Sequence, residues 1–197
     1  KYKPDYIVNF ASTSSISESI REPLNCIKSG FNTHNIILEA LRILGKKISY
    51  LYAGSIEMFD PNNKNCNLSS PIKPSNPYSL MKALSFLTTQ QYREMYSLSV
   101  MTAVFSNHES FLRTERFVTG KIFRTALRAV NGEEVTLELA SRSVKKDWGL
   151  ACEYMDVICE MLDQEKPEDR IIATGNNTSS KYFDYYFSKY PRIIRKH

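Results

Sequence analysis

The sequence predicts an α/β fold in which helices flank a parallel sheet. Within the first 105 residues, three apolar runs rich in strand-forming residues alternate with two long segments of helical periodicity. The order strand, helix, strand, helix, strand favours parallel strands joined by right-handed crossovers. With 197 residues, 42% of them hydrophobic, the chain can bury one sizeable core.

The first predicted strand covers residues 6–10 and reads YIVNF. Its unbroken apolar character and β-branched residues indicate a central parallel strand. The small residues of ASTSSIS follow at once and would allow a ligand to approach the backbone closely. They could equally form a loop that caps the next helix. Further strands are predicted over residues 47–53 and 98–105.

Two helices connect these strands. Residues 32–44 fit a largely buried helix that ends at Gly45, with apolar side chains at Ile36, Ile37, Leu38, Leu41, Ile43 and Leu44. A polar loop with four prolines spans residues 60–77. The second helix, residues 78–96, follows Pro77. Its predicted apolar face comprises Leu80, Met81, Leu84, Phe86 and Leu87.

The pattern changes after Phe105. It predicts a polar loop, a helix from about residue 122 to 131, a strand over 135–139 and a charged loop over 145–149. A helix over 152–162, a strand over 170–173 and a final helix over 178–187 complete the prediction.

The spacing of Tyr78 and Lys82 suggests chemistry. Residues four apart lie on one helical face, one turn from each other. A nearby ammonium favours phenolate, so Lys82 should lower the pKa of Tyr78 and let it act as a base near neutral pH. Ser55 and Glu57, at the end of the preceding strand, could face Tyr78 across a cleft. However, a chain with 12 tyrosines is expected to contain about one chance Tyr-x-x-x-Lys, so a solvated pair is the alternative.

Composition narrows the class of protein. The net charge of +5 suits an anionic ligand such as a nucleotide. The lysines and arginines are scattered, however, and do not form the basic patch of a nucleic-acid-binding protein. No apolar run is long enough to span a membrane, and no metal site is predicted. The four cysteines form no C-x-x-C pair and are expected to be reduced thiols of a cytoplasmic protein. Because the chain starts with Lys1 close to a strand, an upstream part is expected to be missing.

Several segments together resemble the GDP-mannose 4,6-dehydratases, of the extended short-chain dehydrogenase/reductase family. They read PDYIVNFAS, AGSIEMF, NPYSLMK, FSNHES followed by RFVTGKI, KKDWG, and PEDRIIATG. The resemblance implies a Rossmann-like doubly wound sheet, incomplete at the N-terminus, with NADP as cofactor and GDP-mannose or a related nucleotide sugar as substrate. Residues 1–106 would be the rest of the NADP-binding domain. Residues 107–197 would mainly bind the sugar nucleotide, with some segments returning to the sheet, and the assembly would be a homodimer or homotetramer.

The resemblance also implies roles for individual residues. Tyr78 would remove the C4 hydroxyl proton, and Lys82 would lower its pKa and hold the nicotinamide ribose. Ser55 would hydrogen-bond O4, and Glu57 would remove the C5 proton so that water leaves C6. The residues implied to bind cofactor are Ala11, Ser12, Tyr78, Lys82, Asn107, His108, Glu109 and Arg113. Those implied to bind substrate are Asn107, Lys121 and Lys146.

Departures from the family pattern support a second hypothesis. The glycine-rich motif that cradles the diphosphate is absent, and the C-terminal part looks cut short after Phe187. Ile56 replaces a hydroxyl residue and Lys146 replaces an arginine. The chain should therefore bind NADP poorly by itself, and the alternative is a non-catalytic or degenerate subunit with a structural or regulatory role. A third hypothesis is epimerisation or reduction of a nucleotide sugar, but Glu57 favours elimination because simple reductases do not need that carboxylate.

Overall fold

A computed structural model describes residues 3–63, 65–139, 145–179 and 193–196, the last four and Ser179 by their backbone alone. The strands are β1 Tyr6–Asn9, β2 Ser49–Ser55, β3 Val100–Phe105, β4 Asn107–Glu109, β5 Val135–Glu138, β6 Lys145–Leu150, β7 Arg170–Ile172, β8 Asn177–Ser179 and β9 Ile193–Lys196. The α-helices are α1 Ile16–Arg21, α2 Pro23–Ile27, α3 Thr33–Leu44, α4 Pro77–Tyr96, α5 Val118–Val130 and α6 Ala151–Leu162. A π-helical turn, Lys28–Asn32, joins α2 to α3, and a 3₁₀ turn, Ile56–Met58, follows β2.

The chain divides into two compact units. The first comprises Lys1–Ser106 and Met155–Ile172, and the second comprises Asn107–Tyr154 and Ala173–His197. The first unit contains a four-stranded parallel sheet in the order β1-β2-β3-β7. The carboxyl ends of β1, β2 and β3 therefore meet at one edge of this sheet, where ligands bind in open α/β folds.

Strand β1 lies at the edge of the described sheet. It pairs with β2 only, and Tyr6, Val8 and Phe10 are exposed. The prediction of a central strand is thus wrong within the described sheet, because an apolar run does not specify how many neighbours a strand has.

Helix α3 packs one stripe against β2 and α4. Leu38 and Leu41 are buried with Tyr50 of β2 in one hydrophobic cluster. Ile36 and Ile43, however, are about two-thirds exposed, and Leu44 is also exposed. The prediction of a largely buried helix is wrong for these side chains, since a 3.6-residue period turns only one face towards a single neighbouring layer. Gly45 ends the helix in the left-handed conformation, at a φ of 58°, as predicted.

Helix α4 begins with a complete capping box. The Asn76 side chain accepts from the Ser79 amide, and the Ser79 hydroxyl accepts from the Asn76 amide. Met81 and Phe86 are buried as predicted, but Leu80 and Leu87 are about two-fifths exposed. Small polar residues share the buried face, where they allow close helix–sheet packing. The buried residues are Ser79, Met81, Lys82, Ala83, Ser85, Phe86 and Thr89.

The sheet of the first unit is covered on both faces. Side chains alternate along β2 and β3, so Leu51 and Met101 point away from α3 and α4, yet both are fully buried. Ile158 and Met161 of α6 are buried as well, and the Tyr6 hydroxyl donates to Asp163 directly after α6. Helix α6 thus supplies the second layer, and the predicted doubly wound α/β fold is confirmed. None of the helices in the described ranges is both long and apolar enough to cross a membrane.

A buried carboxylate anchors β7 to the sheet. Asp169, whose side chain is 4% exposed, accepts two hydrogen bonds from the Arg93 guanidinium at 2.7 and 2.9 Å. The same carboxylate accepts from the Thr102 amide at 2.7 Å and from Gln90 at 3.2 Å. Arg93 also donates to the Val100 carbonyl. This network ties together α4, β3 and the start of β7.

The second unit contains the order β4-β6-β8 and the parallel pair β5–β9. Helix α5 packs Ile122 and Ala129 against Val135 and Leu137 of β5. Two predicted loops contain strands, β4 and β6, because pairing across β4, β6 and β8 satisfies their backbone groups whatever the side-chain charge. The predicted final helix is wrong over its first two residues, which belong to β8, and its remainder, residues 180–187, lies outside the described residues.

The Asp169 network provides a stability test. Asp169→Ala should lower the free energy of unfolding by about 3–5 kcal/mol, because it leaves a half-buried guanidinium without its partner. Glu133→Ala is the matched control: it removes the exposed pair with Arg128, of similar length, and should cost less than about 1 kcal/mol. Urea unfolding of both variants measures the difference. Equal losses would mean that the Asp169 network does not anchor the sheet.

Candidate functional site

The predicted catalytic lysine is buried at the carboxyl edge of the sheet. Lys82 is 4% exposed, and its Nζ donates to the Ala53 carbonyl at 2.6 Å and to the Ser12 hydroxyl at 3.0 Å. The same Nζ lies 5.7 Å from the ring centroid of half-buried Tyr78. The structure therefore brings Ser12, Tyr78 and Lys82 together, from the loop after β1 and from the first turns of α4.

The loop after β1 is shaped by a buried asparagine. The Asn9 side-chain oxygen accepts from the Ala11 amide at 2.9 Å, and its side-chain nitrogen donates to the Tyr50 hydroxyl at 2.9 Å. Tyr50 also hydrogen-bonds His34 Nδ1 at 2.8 Å, and His34 Nε2 lies 3.2 Å from the Thr89 hydroxyl. Burial lowers the pKa of His34 to about 3, so its ring is neutral. This chain of polar groups fixes the turn that carries Ser12.

The start of α4 is held by a second buried hydroxyl. The Ser19 oxygen accepts from the Tyr78 amide at 3.2 Å and donates to the Ile16 carbonyl at 2.7 Å. The Tyr78 amide lies in the first helical turn, where backbone donors have no partner within the helix. Ser19 thus satisfies this donor and attaches α1 to the turn that bears the predicted base.

Ser55 and Glu57 follow at the end of β2. Ser55 is buried, and its hydroxyl accepts from the Glu57 amide at 3.3 Å, which caps the 3₁₀ turn. Glu57 is half-buried. Ile56 packs against the hydrophobic cluster around Met58 and Phe59. The position at which the family pattern has a hydroxyl residue therefore holds a side chain that packs against apolar neighbours.

Burial dominates the electrostatics of Lys82. Desolvation lowers its pKa from 10.5 to about 7. Burial also raises the pKa of the Cys26 thiol, so this group remains neutral in the same pH range. Lys82 can therefore gain or lose a proton near neutral pH, which is the range in which a catalytic proton carrier is useful.

The other predicted binding residues all belong to the second unit. Glu109 on β4 accepts from the Thr119 hydroxyl at 2.6 Å and pairs with Arg113 at 3.0 Å. The Arg113 guanidinium stacks over Phe117 at 3.6 Å. Glu109 and Arg113 thus hold the segment before α5 in place. The remaining predicted residues are half-buried Asn107 and His108 on β4, exposed Lys121 on α5 and half-buried Lys146 on β6.

The Asp147-Trp148-Gly149 stretch orders the loop before β8. Asp147 accepts from the Thr174 amide at 3.0 Å, and the Trp148 indole donates to the Thr178 carbonyl at 3.3 Å. A side chain at Gly149 would overlap the ring of Tyr154, so glycine is required there. These contacts explain why the three residue types occur together on β6.

Sequence reasoning missed three residues of the first unit: Asn9, Ser19 and Tyr52. Tyr52 lies under Lys82, with its ring centroid 4.9 Å from Nζ. Asn9 and Tyr52 were assigned only to strands, Ser19 was given no role, and none of the three was named as a site residue. Their contacts depend on which segments meet in three dimensions.

Lys82 should make stability depend on pH. The folded-state pKa is about 7, whereas an unfolded lysine keeps a value of 10.5. Between these values the unfolded chain binds more protons, so the free energy of unfolding should rise with pH across this window. Below the window Lys82 is charged in both states and should add no pH dependence. In Lys82→Met this part of the rise should disappear, but it should remain in the control Lys47→Met, an exposed lysine. Urea unfolding at roughly pH 6, 7.5 and 9 measures it; parallel profiles for wild type and Lys82→Met would contradict it.

Similar solved structures support the fold. RMD from Pseudomonas aeruginosa, solved with NADPH, superimposes with a TM-score of 0.88 at 17% identity, covering 98% of this chain and 69% of that one. A dTDP-glucose 4,6-dehydratase from Bacillus anthracis, solved with NAD, gives a TM-score of 0.78 at 17% identity, covering 98% of this chain and 61% of that one.

Sequence comparison identifies the family. The family model described as GDP-mannose 4,6 dehydratase matches residues 1–194. GDP-mannose 4,6 dehydratase 1 of Arabidopsis thaliana is 34% identical over 191 residues, covering 92% of this chain and 51% of that protein. The Dictyostelium discoideum GDP-mannose 4,6 dehydratase is 31% identical over 198 residues, covering 93% of this chain and 52% of that protein. The chain thus spans about half the length of these relatives. It belongs to the GDP-mannose 4,6-dehydratase family.

Proposed function

We propose that this chain converts GDP-mannose to GDP-4-keto-6-deoxymannose by internal hydride transfer through NADP and loss of water. The observation that carries the proposal is the burial of Lys82 against Ser12, beside Tyr78, at the carboxyl edge of the parallel sheet. Ser55 and Glu57 at the end of β2 complete the residue types that this elimination needs. Family membership supports the choice of substrate.

The first unit fits a nicotinamide dinucleotide. Small residues, Ala11 and Ser12, follow β1 at the ligand-binding edge of the sheet, and Ala11 is exposed. A charged Lys82 has three donors, of which two go to the Ala53 carbonyl and the Ser12 hydroxyl, so one remains for a ribose hydroxyl. When bound, the nicotinamide would accept a hydride from C4 of the sugar and return it to C6.

Tyr78 would begin the reaction as a base. As phenolate it takes the proton of the C4 hydroxyl while C4 loses its hydride, which leaves a 4-keto sugar. The Lys82 ammonium stabilises the phenolate, and the Ser55 hydroxyl donates to the developing O4 carbonyl. The new ketone makes the C5 proton acidic.

Glu57 would act as the base in the second half of the reaction. Its carboxylate would remove the C5 proton, and the carboxylic acid so formed would protonate the C6 hydroxyl, which leaves as water. The resulting double bond joins C5 and C6. Hydride addition at C6 and transfer of the Tyr78 phenol proton to C5 would restore the saturated ring. The sugar then loses one water overall, and Glu57 and Tyr78 return to their starting protonation states.

The two units would divide the binding. The first would bind the cofactor, and the second would bind the sugar nucleotide, with Asn107 and His108 near the nicotinamide and sugar. Lys121 and Lys146 would contact the GDP diphosphate as point charges, since an ammonium lacks the bidentate fork of arginine. Glu109 and Arg113 would act mainly by holding their segment in place, given their mutual contact.

The partner would be a second copy of the chain, in the cytoplasm. Helices α3 and α4 lie side by side, as the Tyr92 hydrogen bond to Glu39 indicates. Both helices expose apolar side chains at seven-residue intervals, namely Ile36 and Ile43 on α3, and Leu80 and Leu87 on α4. Exposed apolar side chains on two neighbouring helices are typical of a helical dimer interface.

The catalytic proposal is tested in the natural gene product with GDP-mannose and NADP. Tyr78→Phe should abolish turnover because it removes the base. Glu57→Gln should also abolish product but leave C4 oxidation intact, so nicotinamide fluorescence should rise without loss of water from the sugar. Mass spectrometry of the nucleotide sugar and fluorescence together separate the two blocks. Exposed Glu133→Gln is the control and should keep wild-type turnover.

Each outcome discriminates between roles. Normal product from either variant would remove the role assigned to that residue. If the wild-type protein binds NADPH but never dehydrates GDP-mannose, a non-catalytic role replaces the proposed one. Turnover of another nucleotide sugar without loss of water would favour an epimerase or reductase.

The dimer is tested by charge insertion. Leu87→Glu should shift the mass from that of a dimer towards that of a monomer, because a carboxylate would be desolvated at the interface. Phe123→Glu, an equally drastic change at an exposed position of α5, is the control and should leave the mass unchanged. Light scattering after size-exclusion chromatography measures both. A dimeric Leu87→Glu variant would contradict the interface.

A further inference from the structure

The environment of Lys82 includes an aromatic face that the reaction itself does not use. The Tyr52 ring centroid lies 4.9 Å from the Lys82 Nζ, within the range of a cation–π contact. Tyr52 is 1% exposed, so little water competes for this contact. Tyr52 directly precedes Ala53, whose carbonyl accepts from the same ammonium. One short stretch of β2 therefore contacts Lys82 through both a ring and a carbonyl.

The Tyr52 ring is fixed by its other contacts. Its hydroxyl donates to the Met81 sulfur at 3.4 Å, and its ring centroid lies 4.3 Å from that of His34. Strand β2 is paired on both sides, with β1 and β3, so the backbone of Tyr52 is fixed as well. The ring is thus a preorganised surface.

A buried ammonium needs several partners. Two oxygen acceptors replace only part of the hydration that Lys82 loses. An aromatic face attracts a cation through its quadrupole, and the attraction grows when water is excluded. We propose that Tyr52 is a positioning residue of the dehydratase site, whose ring supports the Lys82 ammonium between the Ala53 carbonyl and the Ser12 hydroxyl. This inference rests on the function proposed above, in which a charged Lys82 assists Tyr78.

The other titratable groups near Lys82 give less support to a positive charge before the reaction. His34 of α3 is neutral, and burial raises the pKa of Cys26 of α2. Tyr78 lies on the same helix, 5.7 Å from Nζ, and becomes negative only during the proposed reaction. Before the reaction, the ring of Tyr52 is therefore the closest aromatic support for a positive charge on Lys82 among these groups.

The test measures the lysine directly. The 197-residue chain is prepared with ¹³C at the lysine Cε, and the Lys82 signal is assigned by its absence in Lys82→Met. Its titration midpoint is then compared in wild type, Tyr52→Phe and Tyr52→Leu. Phe keeps the ring and should keep the midpoint, whereas Leu removes the ring and should lower it by about half a pH unit or more. An unchanged or raised midpoint in Tyr52→Leu would overturn the proposal.

If Tyr52→Leu does not fold, which circular dichroism would show, a second measurement tests the contact between Tyr52 and Lys82 in the wild-type protein. In wild type, the Lys82 Hε protons should be shifted upfield by the ring current of Tyr52, and Tyr52→Phe should preserve this shift. Ordinary lysine shifts in wild type would overturn the contact.

Neither measurement needs NADP or GDP-mannose, so the two proposals can fail independently. An inactive chain would refute the dehydratase function, whereas the two measurements alone decide the role of Tyr52. In an active gene product, Tyr52→Leu should lower kcat more than it raises KM and should shift the pH profile, and Tyr52→Phe should restore both. A loss that Phe does not restore would assign Tyr52 a role through its hydroxyl instead.

Discussion

The burial of one ammonium group constrains the whole carboxyl edge of the first unit. Lys82 can remain in the interior only where oxygen atoms and an aromatic face replace water. The Ala53 carbonyl and the Ser12 hydroxyl supply the oxygens, and they come from segments 29 and 70 residues away in sequence. The segment after β1 and the ends of β2 and α4 must therefore meet at one point. Close packing there also requires a small residue, because a side chain at Gly54 would overlap Thr102.

Much of the first unit follows from sequence periodicity, and the exceptions have physical causes. The strands and helices of this unit with predicted bounds lie within two residues of their observed ends, because they are strongly patterned, whereas the short helices α1 and α2 had no predicted bounds. Burial of individual side chains was less predictable. Ile36 and Ile43 look like core residues but are exposed, since the number of layers around a helix is not encoded in its own sequence. The charged strand β6 was missed because its stability comes from backbone pairing with strands distant in the chain.

The residues of the candidate site were also predictable only in part. The proximity of Tyr78 and Lys82 follows from their spacing on one helix, and Ser55 and Glu57 follow from their place at a strand end. The acceptor at Ala53 could not be predicted, because every residue carries a carbonyl and sequence does not mark the one that faces a lysine. Ser19 and Tyr52 act through contacts between segments, so their roles appear only when the elements are assembled. Relatives support the family but leave the roles of these side chains to experiment.

The discontinuity of the first unit has a consequence for how the chain acquires its structure. Residues 1–106 emerge from the ribosome before residues 155–172, which complete the same unit with α6 and β7. Until then, Arg93 has no Asp169 to pair with and the outer side of β3 has no neighbouring strand. Contacts this distant in sequence close slowly because the loop-closure entropy must be overcome first. The nascent chain therefore exposes an apolar sheet face and an unpaired strand while residues 107–172 are synthesised, and this interval is when chaperones would be most useful to it.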